Sequence, residues 1–136
     1  MSGWIPNELR ALVRERAGRR CEYCLRHEDD TAIPHQADHI QSLKHGGQTT
    51  AENLAWSCAV CNLLKGPETA AIDSLTATAA RFFNPRRDRW DDHFRLDHGR
   101  ILGLTPEGRV TAELLQLNRA DLVELRLTLI AKGRYP

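Results

Sequence analysis

The sequence predicts a small α+β fold in which a metal-stapled core is flanked by helices, and three observations point there. Four cysteines stand in two pairs, Cys21-Glu-Tyr-Cys24 and Cys58-Ala-Val-Cys61. Between the pairs, residues 33–43 read as a strand-like stretch that turns at Gly46-Gly47. Apolar residues recur at helical spacing before the first pair and again near the C-terminus. The 136 residues, 41% of them hydrophobic, suit one domain with a modest core.

Charge narrows the choice of partner. A net charge of +1 gives no overall nucleic-acid signal, because a domain wrapped on phosphate often has a pI above about 9. A DNA-binding surface would have to be local. No segment approaches the roughly 18 uncharged apolar residues of a membrane span, and the N-terminus lacks the apolar run of a signal peptide, so a cytoplasmic protein without membrane contact is expected. In a reducing compartment, paired cysteines hold a metal more often than they form disulfides.

Residues 6–17 are expected to form the first helix. Pro6 suits a first helical position, Glu8 favours the positive end of the macrodipole, and Leu9, Leu12, Val13 and Ala17 lie on one face before Gly18 ends it. Arg10, Arg14 and Arg16 are interleaved with Glu8 and Glu15, which reads as a solvated face rather than a surface for phosphate. In a tight Cys-x-x-Cys turn the backbone amides point at the sulfurs, and four thiolates suit tetrahedral Zn²⁺, so Cys21, Cys24, Cys58 and Cys61 are expected to hold one structural zinc. The long separation of the pairs requires something folded between them: a β-hairpin or Ω-like loop, then helices. Thr49 or Thr50 is expected to cap the turn that carries Asn53, with Glu52 reaching back to Thr49. Residues 59–65 read as a helix closed by Gly66-Pro67.

The ordered set Cys21-x-x-Cys24, Asp38-His39-Ile40, Gly46-Gly47, Asn53-Leu54, Cys58-x-x-Cys61, Asn62 and Lys65-Gly66 resembles the HNH endonucleases, also called ββα-metal nucleases, in their four-cysteine subgroup. The resemblance covers residues 21–66 and implies a zinc-stapled ββα-metal core gripping one divalent ion. It implies that His39 is the general base, that Asp38 and Asn62 are metal ligands, and that Asn53 fixes the loop around His39. Many members carry His where this chain has Asn62, which makes it an H-N-N variant. The products implied are 5′-phosphate and 3′-hydroxyl ends on DNA.

The chemistry suits these residue types. An imidazole with a pKa of about 6.5 is mostly neutral near pH 7 and can take a proton from water. Asn53 can donate to a carbonyl while accepting from an amide. Asp38 and Asn62 offer hard oxygen ligands, which favour Mg²⁺ or Mn²⁺ as the catalytic ion. Neighbouring strand residues face opposite ways, so Asp38 and His39 can share a site only at a strand end or bulge. Lys65 reads either as a phosphate contact or as a solvated lysine at a helix C-terminus. The other class of function compatible with this pattern is a catalytically idle zinc-dependent module that binds nucleic acid or protein.

Residues 67–136 read as a C-terminal extension packed on the core within a single domain, and they look like the segment that follows the HNH core in small bacterial proteins. Arg86, Arg87 and Arg89, with Arg81 and Trp90, form the densest basic patch and read as DNA backbone contacts, or else as ion pairs with Asp88, Asp91 and Asp92. Residues 76–83 fit a strand or a loop. Asp97-His-Gly99-Arg100 reads as a hairpin turn, Thr105-Pro106 as a helix start, and Asn118 as the cap of a last helix through Ala131. The leucine-rich faces of these helices are expected to pack on the core or to form a homodimer contact.

Overall fold

The computed structural model describes residues 4–136. The chain is α+β, with helices and, among the described residues, three two-stranded antiparallel sheets, and it divides into two compact units, Met1–Thr69 and Ala70–Pro136.

The first unit is built from α1 (Asn7–Arg16), β1 (Gln36–His39), β2 (Leu54–Ser57) and α2 (Ala59–Lys65). Pro6 stands at the N-cap of α1, and Gly18 takes the left-handed conformation (φ 63°) just past its C-cap, Ala17. Val13 is fully buried against Ile5, Leu54 and Trp56, with Leu9, Ala17 and Ala37 around them. Burying a side chain of this size stabilises by about 1.5–3 kcal/mol, so this small cluster sets the seat of α1 on the sheet. β1 and β2 pair antiparallel, Ala37 opposite Trp56 and Asp38 opposite Ala55. Alternation sends Ala37 and Trp56 toward α1 and leaves Gln36 and Asp38 for α2. Arg16 of α1 donates to the carbonyls of Ala51 (2.9 Å) and Leu54 (2.8 Å), fixing the entry to β2.

The capping expected around Thr49 and Glu52 is not made. A 3₁₀ turn at Ala51–Asn53 has Thr50 at its N-cap with no side-chain bond, and the Thr49 hydroxyl lies against His39 instead. Gly47 is a position of close approach: a Cβ there would lie 1.8 Å from the Gln41 carbonyl oxygen, so only glycine lets the loop close on itself.

The second unit contains β3 (Ala70–Ile72) paired with β4 (Ala79–Arg81), α3 (Trp90–His93), β5 (Phe94–Asp97) paired with β6 (Arg100–Gly103), α4 (Pro106–Leu114) and α5 (Ala120–Ala131). Ala80, Phe82 and Val110 form a core that also takes in Ala71 and Leu114. Asp73 is fully buried, and both its oxygens accept from Arg109 at 2.9 Å, which holds its carboxyl well below the usual carboxylate range. The β5–β6 turn places His98 and Gly99 at positive φ (48° and 80°), as a two-residue hairpin loop requires. Thr105 caps α4 by accepting from the Gly108 amide at 3.0 Å, with Pro106 opening the helix. Asn118 does not cap α5. Its amide group exchanges two bonds with Ile101, accepting from the N–H (2.7 Å) and donating to the carbonyl (2.8 Å), so it acts as a strand partner while Arg119 holds the cap position. No helix among the described residues is long and apolar enough to cross a membrane.

Candidate functional site

The four cysteines converge. Their sulfurs lie within 4.8 Å of one another, all four residues are buried, and the Cys24 and Cys58 sulfurs are 3.8 Å apart. A tetrahedron with metal–sulfur bonds of about 2.3 Å has an edge of about 3.8 Å, so the donor set fits zinc. In each pair the second cysteine's amide donates to the first one's sulfur, Cys24 to Cys21 at 3.5 Å and Cys61 to Cys58 at 3.4 Å. Burial pushes the Cys21 thiol up, while hydrogen bonds from Cys21 and its neighbours hold Cys58 down. A cation bound among them would ionise the rest. Glu22, between the first two cysteines, donates its amide to the Trp56 carbonyl (2.8 Å) and accepts the Trp56 amide through its carboxylate (2.9 Å), so the first pair is laced to β2.

Beside this cluster, β1 and the Asn62 turn of α2 line a cleft of about 660 Å³, with Asp38, His39 and Asn62 among its residues. His39 is the last residue of β1, which meets the strand-end condition for adjacent residues to share a site. Its Nε2 lies 2.9 Å from the Thr49 hydroxyl. Asn53 holds the intervening loop at both ends: its oxygen accepts from the Gln41 amide (2.9 Å), and its nitrogen donates to the carbonyls of Gln41 (2.9 Å) and Gln48 (2.8 Å). A hairpin, a helix and a cysteine knuckle with this residue order match the family model of the HNH endonucleases over residues 21–68.

The match spans about a third of the chain.

No curated protein and no solved structure matches this chain.

Within the matched segment, Lys65 sits differently from either sequence expectation. It is 3% exposed, and its ammonium donates to the His39 carbonyl (2.9 Å) and lies 3.1 Å from Asp38 Oδ2. Its charge is therefore directed inward, tying the C-terminal turn of α2 to the end of β1. Burial raises the Asp38 pKa, with Lys65 and then His39 opposing that rise; the Oδ2 atom is buried and lacks an aligned hydrogen bond. Burial also lowers the His39 pKa, against a rise from the Asp38 charge, which favours the neutral ring. Asn62, on α2, donates its amide nitrogen to Gln36 Oε1 at 3.0 Å, which turns its oxygen into a free acceptor. An under-satisfied carboxylate and an amide oxygen in one cleft fit a hard divalent cation.

The sequence gives Thr49 a capping role alone; it gives His35 a place on the pocket wall with no role above that of a surface residue, and the second metal-ligand position only if Asn62 fails. His35 is buried at 4% exposure, with Nε2 2.9 Å from the Arg26 carbonyl. That acceptor fixes the hydrogen on Nε2 and leaves Nδ1 as a buried lone pair without a partner. In the second unit, Arg81 pairs with Asp88 (2.6 and 3.0 Å), while Arg87 and Arg89 are exposed and Arg86 is half-buried.

Proposed function

We propose that this chain is a metal-dependent DNA endonuclease that hydrolyses phosphodiester bonds at the His39 cleft. The observation that carries the reading is that His39, Asp38 and Asn62, drawn from a strand end and a helix of the matched segment, line one cleft. Asp38 and Asn62 would hold Mg²⁺ or Mn²⁺, which when bound supplies positive charge to the phosphate and to the leaving oxygen. His39 takes the proton of the attacking water. In this reading Nε2–H donates to the Thr49 hydroxyl, 2.9 Å away, and the proton is accepted at Nδ1. Asn53 and Lys65 are positioning residues: one fixes the loop between residues 41 and 48, the other the backbone and carboxylate at the end of β1. The resemblance to the family supports 5′-phosphate products, and the structural ion is zinc at the four cysteines. Nicking of supercoiled plasmid with Mg²⁺ and none without it tests the proposal. A chain that binds DNA with zinc intact yet never nicks would be the idle binding module instead.

The Asn62 assignment has its own expected outcome. Asn62→Ala should lower cleavage and raise the Mg²⁺ concentration needed, by at least the roughly 10- to 100-fold that losing an outer-shell partner costs. Asn62→His, which adds a nitrogen donor, should shift activity or inhibition toward Ni²⁺ and Zn²⁺. An unchanged Mg²⁺ titration for Asn62→Ala would remove it as a ligand.

For the second unit, Arg86, Arg87 and Arg89 are proposed as sequence-independent backbone contacts. Replacing all three by alanine should weaken binding to every duplex alike and lower the slope of log affinity against log salt by up to about three. A slope equal to that of wild type would return the cluster to ordinary surface charge.

A further inference from the structure

We infer that Arg10 and Lys44 form a second phosphate-binding site, inside the His39 cleft, which holds the DNA strand on either side of the bond to be cut. The inference rests on the nuclease reading of that cleft and names the residues that grip its substrate.

The three arginines of α1 divide by what they touch. Arg14 is committed to Glu28, with Nε at 3.0 and 3.1 Å and Nη2 at 2.6 Å from the carboxylate oxygens. Arg16 is committed to backbone carbonyls at the entry to β2. Arg10 is exposed and, among the described residues, meets no carboxylate and makes one long contact, 3.5 Å to the Ile5 carbonyl. Its side chain lines the His39 cleft and also the adjoining cleft of about 490 Å³ that runs along α1 past Trp56. It therefore borders both hollows, as Pro34 and His35 do.

Lys44 lines the same cleft from the loop that follows β1. It is exposed on the 3₁₀ turn Leu43–His45 and has no ion pair or hydrogen bond among the described residues. The loop that carries it is held by Asn53 and closed by Gly47 against Gln41, so the lysine has a fixed origin on a surface loop. Among the described residues lining the cleft, Asp38 is the one carboxylate, and Lys65 already opposes its charge. What remains is two uncommitted cations lining the cleft of the proposed base, a field that attracts a polyanion. An arginine and a lysine with no internal partner can each replace condensed counterions on a phosphate, which binds the backbone without reading sequence.

The test is the salt dependence of binding to a fluorescent DNA duplex, measured in the His39→Ala background so that the probe survives. Arg10→Ala and Lys44→Ala should each lower the slope of log affinity against log salt by about one, and the double variant by about two. Arg10→Lys should keep the wild-type slope. Arg19→Ala makes the same change in net charge at an exposed residue paired with Glu15, and its slope should stay unchanged. Zinc content and the urea midpoint guard against misfolding; if Arg10→Ala loses either, Arg10→Gln and Lys44→Ala decide. Unchanged slopes for the cleft variants in a chain that nicks DNA overturn this inference alone, as does an equal drop for Arg19→Ala. A wild-type chain that neither binds nor nicks DNA overturns the nuclease reading, and this inference with it.

Discussion

Stripping zinc from the purified chain, or replacing Cys58 by alanine, is expected to unfold the first unit. The metal-binding free energy of a four-ligand structural site is folding free energy, about 10–16 kcal/mol in zinc-finger peptides at neutral pH, against about 5–15 kcal/mol for the whole stability of an ordinary domain. The hydrophobic part of the unit cannot replace it, because among the described residues the α1 cluster is small, with Ile5, Val13, Leu54 and Trp56 buried at its centre. Cys58 carries a second role: its sulfur is the N-cap acceptor of α2, whose loss alone costs about 1 kcal/mol. With α2 released, Lys65 and Asn62 leave the end of β1, so cleavage should vanish together with structure. Hydrogen exchange gives the cleanest readout: amides of β1, β2 and α2 should lose protection, while those of α4, which belongs to a core without cysteine, should keep theirs. Metal analysis that finds no zinc in a fully protected protein would remove the staple from this account.

Much of that staple could be read from sequence because thiolate ligands have a fixed spacing and few competing uses. Residues whose role depends only on neighbours in the chain were equally legible: Gly18 after α1, Thr105-Pro106 before α4, and the His98-Gly99 turn. β2 was harder to see. All four of its residues, Leu54 to Ser57, are buried, since the strand is covered on both faces, and a strand covered on both faces has no two-residue alternation to find. Lys65 misled for a related reason: a lysine in the last turn of a helix ordinarily faces water, and only the placement of Asp38 behind α2 turns it inward. Asn118 carries the composition of a helix cap, but the backbone of Ile101 offers it two bonds where a cap offers one. The contact between Thr49 and His39 joins two loop ends that the sequence separates, and nothing local signals it.

His39→Ala is expected to lower cleavage by about 10²- to 10⁴-fold, the range for losing a general base, while zinc content, folding and DNA affinity stay near wild type. The separation follows from position. His39 ends a strand and lines the cleft without entering the hydrophobic cluster, so its removal leaves the packing of α1 on the sheet untouched. Its pH behaviour distinguishes a base from a bystander. The ring must be neutral to accept a proton, and burial lowers its pKa, so the neutral form persists to lower pH than for a free imidazole. The acid limb of kcat/KM should therefore fall below about pH 6.5, and the residual activity of His39→Ala should lack that limb. Thr49→Val provides the intermediate case: the side chain keeps its shape, but Nε2 loses its partner, so the tautomer with a bare Nδ1 is no longer favoured and kcat should drop without loss of affinity. Thr49→Ser should restore it. If His39→Ala cuts at the wild-type rate, the proton goes elsewhere. The buried lone pair of His35 then becomes the next group to test, since it too borders this cleft.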